Sequence, residues 1–392
     1  MTVSHGIKTN LLTTGVRALA PVATAIIGMV VTATAPVGAE TDALNLAFPL
    51  NVPVLVTDIR DAIGKAGTGG TLKPALDAIA DQTTPILVVV RVAEGVGEEA
   101  DEETEANIIG TIGVDGVATG MQALLDAEVQ LGIRPRILGV PGLDTQAVTA
   151  ALAIVARKLR GFAYAAAVGD TIAEAITYRE EFAQRELMLL WPNFTGDFAG
   201  DAVARALGLR ARIDQEQGWH KTLSNIAVDG VTGIDKSVYF DLQDDTTPAG
   251  VLNSAHITTI IRTTGFRFWG NRTCVDETLP QYNFESAVRT SQALQDTIAE
   301  GLAWAVDRPM TVSLIRDILE TINAEFRRLK AEGRIIGGLA SFDGALNPSE
   351  NLAAGKLVID YEFTPCAPAE SITLNQLITD KYYAGFADQL NG

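Results

Sequence analysis

Three histidines (His5, His220, His256) and two cysteines (Cys274, Cys366) are the residues of this chain best suited to chemistry near neutral pH. Histidine serves as a general base there because its pKa lies close to the working pH. A nucleophilic serine needs such a base beside it, yet no G-x-S-x-G elbow surrounds any serine. The chain order Asp144, His220, Ser254 imitates a triad on paper only, since a triad is defined by geometry and not by order. No two histidines stand four apart and two distant cysteines cannot build a zinc site, so no metal is expected. Neither cysteine lies beside a basic cluster that would favour its thiolate. For phosphate, Gly64-Lys65 is followed by Ala66 and Gly355-Lys356 by Leu357, so the hydroxyl that holds magnesium in a phosphate-binding loop is missing. Gly139-Val140-Pro141-Gly142 has the location of a dinucleotide turn without its spacing, and proline removes one amide donor. No catalytic residue, cofactor or metal ligand is assigned. One competing reading stays open on these residues, a cytosolic α/β enzyme that holds a nucleotide or another anion on the turn at 136–144.

Composition bounds the remaining classes. The chain has 392 residues with 30 Lys+Arg against 48 Asp+Glu, a net charge of −18, and 47% hydrophobic residues. This is the make-up of a globular protein with room for two or three domains. Its acidity disfavours nucleic acid and anionic membrane surfaces, because phosphate repels such a protein. Two cysteines fit a reducing compartment. Residues 18–35 (ALAPVATAIIGMVVTATA) imitate a secretory leader behind Lys8 and Arg17. Their β-branched content makes 25–31 equally a buried strand, and the run is too short and polar to span a membrane.

The elements that would position any site follow from periodicity. Apolar, β-branched tracts at 51–57 and 84–92 suit buried strands, with a Gly-rich turn at 67–70 and a helix at 72–80 between them. The acidic run 94–105 (EGVGEEADEETE) repels itself and reads as a solvated loop. From 136 onward strands and helices alternate: a strand at 137–140, a helix capped by Asp144 and running to Arg160, a strand at 162–168, a helix at 171–183 and a strand at 187–190. That order predicts an α/β unit with a parallel sheet, flanking helices and right-handed crossovers. The C-terminal third differs. A helix at 285–305 precedes a second that starts at Pro309 and runs to Lys330, with Val312, Ile315, Ile318, Leu319, Ile322, Phe326 and Leu329 on one face. An alternating strand at 356–363 completes an α+β unit. At the two ends, Val3, His5, Ile7 and Thr9 alternate weakly, and 371–378 (SITLNQLI) is a strand-like tract behind Pro365 and Pro368. A lone strand leaves its backbone unpaired unless it joins a sheet. The residues alone favour both ends packing back on their own domain.

Aromatic and arginine side chains cluster at 265–273 (GFRFWGNRT) and again at 218–221 (GWHK). Such clusters either end a buried strand or anchor an interface, and the net acidity argues against base stacking. The first of them resembles a signature of contractile tail sheath proteins of temperate enterobacterial myophages, close to R-type pyocin sheaths. The likeness extends to 135–144, 213–225, 304–309 and 355–365, so it covers nearly the whole chain. It implies a structural protein and no enzyme, with a middle α/β domain that is subtilisin-like without an active site, a C-terminal α+β domain, and extended terminal arms. The implied division is an N-terminal arm over 1–24, an outer and middle α/β region over 25–264, a C-terminal domain facing the tube over 265–367, and a C-terminal arm over 368–392. The arms, with Val3 and Ile7 at one end and Ile372, Leu374 and Ile378 at the other, would add strands to neighbouring copies. The helix at 309–330 would face the tube, with Arg327, Arg328 and Lys330 offering charge. Phe268, Trp269, Asn271, Arg272 and Trp219 would be structural or interface residues. Implied partners are further copies as hexameric rings in a helical sheath, the inner tail tube, the baseplate and the tail terminator, with no nucleic acid and no direct membrane contact. The implied place is the virion tail, assembled in the host cytoplasm, and the implied action is contraction from a metastable extended state for genome ejection through the host envelope.

Overall fold

The computed structural model describes residues 19–385 apart from 21 and 277. The expected strand about Val3 and Ile7 lies outside them. The N-terminal part runs β1 (Ile27–Thr32), α1 (Ala39–Ala47), β2 (Val54–Val56), α2 (Ile59–Lys65), α3 (Leu72–Ala80), β3 (Leu87–Val92), α4 (Ala100–Ile109) and α5 (Ala127–Leu131). It continues through β4 (Ile137–Gly139), α6 (Gln146–Leu159), β5 (Phe162–Ala166), α7 (Ile172–Glu180), β6 (Leu187–Leu190), β7 (Phe194–Thr195), α8 (Ala202–Glu216), β8 (Gly233–Ile234), α9 (Pro248–Ser254), β9 (Ile257–Thr263) and β10 (Gly265–Trp269). The C-terminal part holds α10 (Glu285–Leu302), α11 (Val312–Ala331), β11 (Ile335–Ser341), α12 (Ser349–Ala353) and β12 (Asp360–Pro365).

Eight strands form one sheet in the order β10-β9-β6-β5-β4-β1-β3-β2. The six inner strands are parallel, and β2 and β10 close the two edges antiparallel. Helices cover both faces, so the inner strands are mostly apolar instead of alternating with polar residues, with Thr32, Arg91, Thr258 and Thr259 as buried exceptions. Ile27, Met29 and Val31 of β1 enter one core with Leu87, Val89 and the α3–α8 pair. Val30 enters the other with Val88, Val90 and α6. α3 and α8 approach so closely that a Cβ on Gly208 would sit 2.9 Å from the Ile79 backbone, which is why glycine stands inside that helix. The free edge of β10 is covered by its own chain: the Asn225 amide donates to the Phe268 carbonyl at 2.8 Å and the Val228 amide to that of Phe266 at 2.9 Å. That covering removes a long open edge.

Four expectations need correction. The boundary at 264/265 cuts between hydrogen-bonded strands, since Gly265–Trp269 pairs with β9 inside the large sheet. Half of the acidic run is helical, because Asp101, Glu102 and Glu103 fall in the first turn of α4, where the helix dipole favours negative charge. Thr145, not Asp144, caps α6, accepting from the Val148 amide. The second C-terminal helix begins at Val312 behind the cap Thr311, whose hydroxyl accepts the Leu314 amide, so Pro309 stays outside it.

α10 joins the two parts, and it does so through polar residues. Glu285, Arg289, Gln292 and Asp296 recur at helical spacing and face the α/β unit. Arg210 of α8, fully buried, donates to Asp214 at 2.7 Å, to Glu285 at 3.1 Å and to the Lys221 carbonyl at 2.6 Å. Arg289 donates to the other oxygen of Asp214, the Tyr164 hydroxyl donates to Glu285, and the Leu223 amide donates to Glu285 at 3.1 Å. Farther along, Asp296 is 2% exposed and collects Arg134, Arg136 and Arg160. Burial pulls the Arg136 pKa down to about 10 despite that partner. The Gln292 amide completes the stripe on the Gly161 carbonyl at 2.7 Å. On its other side α10 supplies Ala293, Leu294 and Ile298 to a third core with Leu314, Ile318, Ile322, Phe326 and Leu329 of α11.

Removing one member of a buried ion cluster strands the others without water, a loss of about 3–5 kcal/mol. Glu285→Ala and Arg210→Ala should each lower the unfolding free energy by about that much in denaturant titration. Lys65→Ala, which deletes an exposed pair with Asp61, should cost less than about 0.5 kcal/mol.

Candidate assembly surfaces

The place where an α/β enzyme would bind its ligand is the crevice at the carboxyl ends of β1 and β4, where the sheet order turns back on itself. Here that crevice holds Asp144 and Asp201. Asp144 is buried and accepts the Ala166 amide, while Asp201 caps α8, accepting the Ala204 amide at 2.8 Å, and also receives the Gly142 amide. Burial, and then the neighbouring Asp201, push the Asp144 carboxyl up to about 7. Acidic side chains at a helix start, Asp201 and, once ionised, Asp144, repel the anion that such a start would otherwise attract. Arg136, the cation of the turn, points away to Asp296. The triad on paper does not assemble either: Ser254 Oγ donates to the Gly250 carbonyl at 2.9 Å, and Asp144 is engaged as described. The Cys274 thiol, fully buried, is pushed up to about 12 by that burial. Among the described residues no three His, Cys, Asp or Glu side chains converge to hold a metal ion.

Most of the aromatic cluster packs within the chain. Phe268 is fully buried and meets Phe194 edge-on at 5.8 Å. Trp269 meets Phe240 at 4.9 Å, and Trp219, 4% exposed, lies 4.6 Å beneath the Arg334 guanidinium. Asn271 is buried, and its carbonyl accepts the Glu285 amide that starts α10. Phe268, Asn271 and Trp219 are thus buried inside the chain, while Trp269 is half-buried against Phe240. Arg272 is the member that reaches outward, gripping Glu370 with Nε at 2.9 Å and Nη2 at 2.6 Å.

The open surfaces lie elsewhere. β11 and β12 form a sheet of two strands, which α11 backs on one face. Its other face exposes Ile336 and Leu339. Two strands make a marginal sheet, and on β11 the Asn323 side chain takes both backbone groups of Ala340, accepting its amide at 2.8 Å and donating to its carbonyl at 3.0 Å. Beyond β12 the tract 371–378 forms no strand, because no second strand lies alongside it among the described residues. Ile372, Leu374, Leu377, Ile378, Tyr382 and Tyr383 are 68–92% exposed. The N-terminal segment differs: Leu19 is 5% exposed and packs on Gly301 of α10, so the described end of that arm lies on its own chain. On α11, Arg327 is exposed and paired with Glu320, and Arg328 is shared between Glu325 and Glu332. Lys330 is exposed as well. Periodicity could not reveal the two arginines' partners, although Glu332 at i+4 and Glu325 at i−3 stand within helical reach.

Known proteins match nearly the whole of the chain. Residues 24–92 match the family model of the tail sheath protein Gp18 domain III N-terminal region, 116–274 that of the phage tail sheath protein central domain, and 277–379 that of the phage tail sheath C-terminal domain. The chain is 52% identical to the tail sheath protein of Escherichia phage P2 over 99% of its own length and 98% of that protein's. It is 45% identical to the major tail sheath protein of Serratia phage KSP20, again over 99% and 98%. In fold it resembles the helical sheath of the anti-feeding prophage in its contracted state, with TM-score 0.69 and 19% identity over 96% of this chain and 99% of that one. The sheath of an extracellular contractile injection system, also contracted, gives TM-score 0.68 and 14% identity over 97% and 100%.

Because the folded Asp144 carboxyl titrates above its ordinary 3.8, its contribution favours the folded state most below pH 4 and is lost as the pH rises from about 4 through 7. Asp144→Asn keeps an acceptor for Ala166 and removes the charge. Its melting temperature should exceed the parent's at pH 8, with the gap closing toward pH 5.

Proposed function

The chain belongs to the phage tail sheath family, and from that premise we propose that its copies stack as hexameric rings around an inner tail tube. The stack is metastable when extended, and it shortens to drive the tube through a bacterial envelope for genome ejection. No nucleotide is consumed in this scheme, because the free energy is stored in the assembly and released as copies repack between two states. The observation that carries the reading is the exposed apolar tail of a chain that also carries a small sheet of only two strands. Exposed side chains such as Leu374 and Leu377 would be a liability in a protein that worked alone, and a strand that finds its partner in another copy removes it. Ile372, Leu374 and Ile378 are the side chains that such a strand would bring to the joint.

In this reading the α/β body, carried through Trp269, forms the outer and middle part. The unit of α10, α11, β11 and β12 lies toward the tube, and the segment from 368 onward is the linking arm. The parallel sheet order with its central switch point supports the subtilisin-like arrangement implied by the resemblance. The same reading gives the chain a baseplate and a tail terminator as further partners, and a place in the virion tail after assembly in the host cytoplasm. The exposed face of α11, with Arg327, Arg328 and Lys330, is the candidate contact for acidic groups on the tube.

Deleting 371–392 should leave subunits that melt like the parent but form no tubes by negative-stain microscopy; normal tubes from that variant would refute the arm's role. Changing Arg327, Arg328 and Lys330 together to Glu should reduce co-assembly with the tube at about 0.1 M salt, where exposed charges still act across roughly 10 Å. Undiminished co-assembly would remove α11 as the tube contact.

A further inference from the structure

The arm does not leave the body where the last strand ends. After β12 closes at Pro365, the Cys366 thiol lies 3.4 Å from the Gly333 carbonyl, and the chain then crosses to the α/β side, where Glu370 meets Arg272. Both carboxylate oxygens are used, one on Nε and one on Nη2, which fixes direction as well as distance. Arg272 is itself well held. Its backbone bridges that of Phe284, its guanidinium stands 5.7 Å from the Phe284 ring, and Nη1 lies 3.2 Å from His256 Nε2. The neighbouring Asn271 carbonyl starts α10. Past Glu370 the apolar side chains from Ile372 to Tyr383 are exposed.

We infer that the Arg272–Glu370 pair is the anchor that aims the C-terminal arm at a second copy of this chain, with Arg272 as its positioning residue. The inference rests on the arm-exchange reading above and adds the point from which the arm swings. With the pair closed, residues 371–385 reach at most roughly 50 Å from a fixed origin. With it open, the origin retreats to Cys366 and the slack grows by roughly 15 Å. A longer, looser tether spreads the arm through more volume and lowers its effective concentration at the receiving sheet. The side chains of the pair are about one-third exposed, at 32% and 37%. An ion pair this accessible is modest in strength, so it orients the arm without locking it.

The test compares Glu370→Gln, Glu370→Arg, Arg272→Glu and the exchanged pair Arg272→Glu/Glu370→Arg in the full chain. Two quantities are read: the critical concentration for tube formation, and hydrogen exchange of the amides at 366–370 in the unpolymerised chain. The single variants should raise the critical concentration and speed that exchange, each by about fivefold. The exchanged pair should return both to within about twofold of the parent. Glu370→Gln changes only the tail, so it decides the matter even where Arg272→Glu misfolds. Parent-like exchange in Glu370→Gln overturns the anchor, whatever happens to assembly. A parent chain that forms no tubes refutes the arm-exchange reading, and the exchange measurement still judges the anchor separately.

Discussion

A buried charge is tolerated only where other charges and dipoles replace the water it has lost, and the stripe of polar residues along α10 meets that condition twice. Arg210, Asp214, Glu285, Arg289 and Tyr164 close one cluster, and Asp296 with its arginines closes the other. Each cluster tolerates little displacement, because a shift of an ångström leaves ionised groups facing apolar walls. The helix is therefore registered along its length against the α/β body. The rest of the C-terminal unit hangs on the opposite, apolar side of the same helix, with Leu294 and Ile298 inside the core that α11 completes. Side-chain chemistry thus divides the labour on one element, with ions setting register and hydrocarbon supplying bulk.

That division separates the closed surfaces from the open ones. The large sheet ends in a short strand on one side and in β10 on the other, and the loop at 225–228 covers β10. The exposed apolar side chains of the tail, from Ile372 to Tyr383, lie beyond α10 in the chain. Covering β10 keeps strand pairing from occurring along that edge of the main sheet.

Much of the body was legible from the residues alone. The tracts at 72–80 and 187–190 became α3 and β6 with unchanged bounds, because strong periodicity or a dense apolar run left no competing state. The parallel layer followed from the alternation of strands and helices. The polar stripe of α10 was not legible: Glu285, Arg289 and Asp296 at helical spacing look like a solvated face until the arginines of distant segments are brought to them. Trp219, Phe268 and Asn271 carried the opposite ambiguity, since residue type cannot separate a core from an interface. The tail's apolar alternation was visible, but its exposure was not. Local residues favour folding back, and only the three-dimensional arrangement shows Leu374 and Ile378 left in the open.

The tail and the two-stranded sheet are different surfaces at different places on the chain. Where each copy donates to one neighbour and receives from another, the contact is heterologous and does not close as a reciprocal exchange between two copies would. Every copy then has a giving side and a taking side. A column built this way has a front and a back, and growth at one end meets chemistry that the other end lacks.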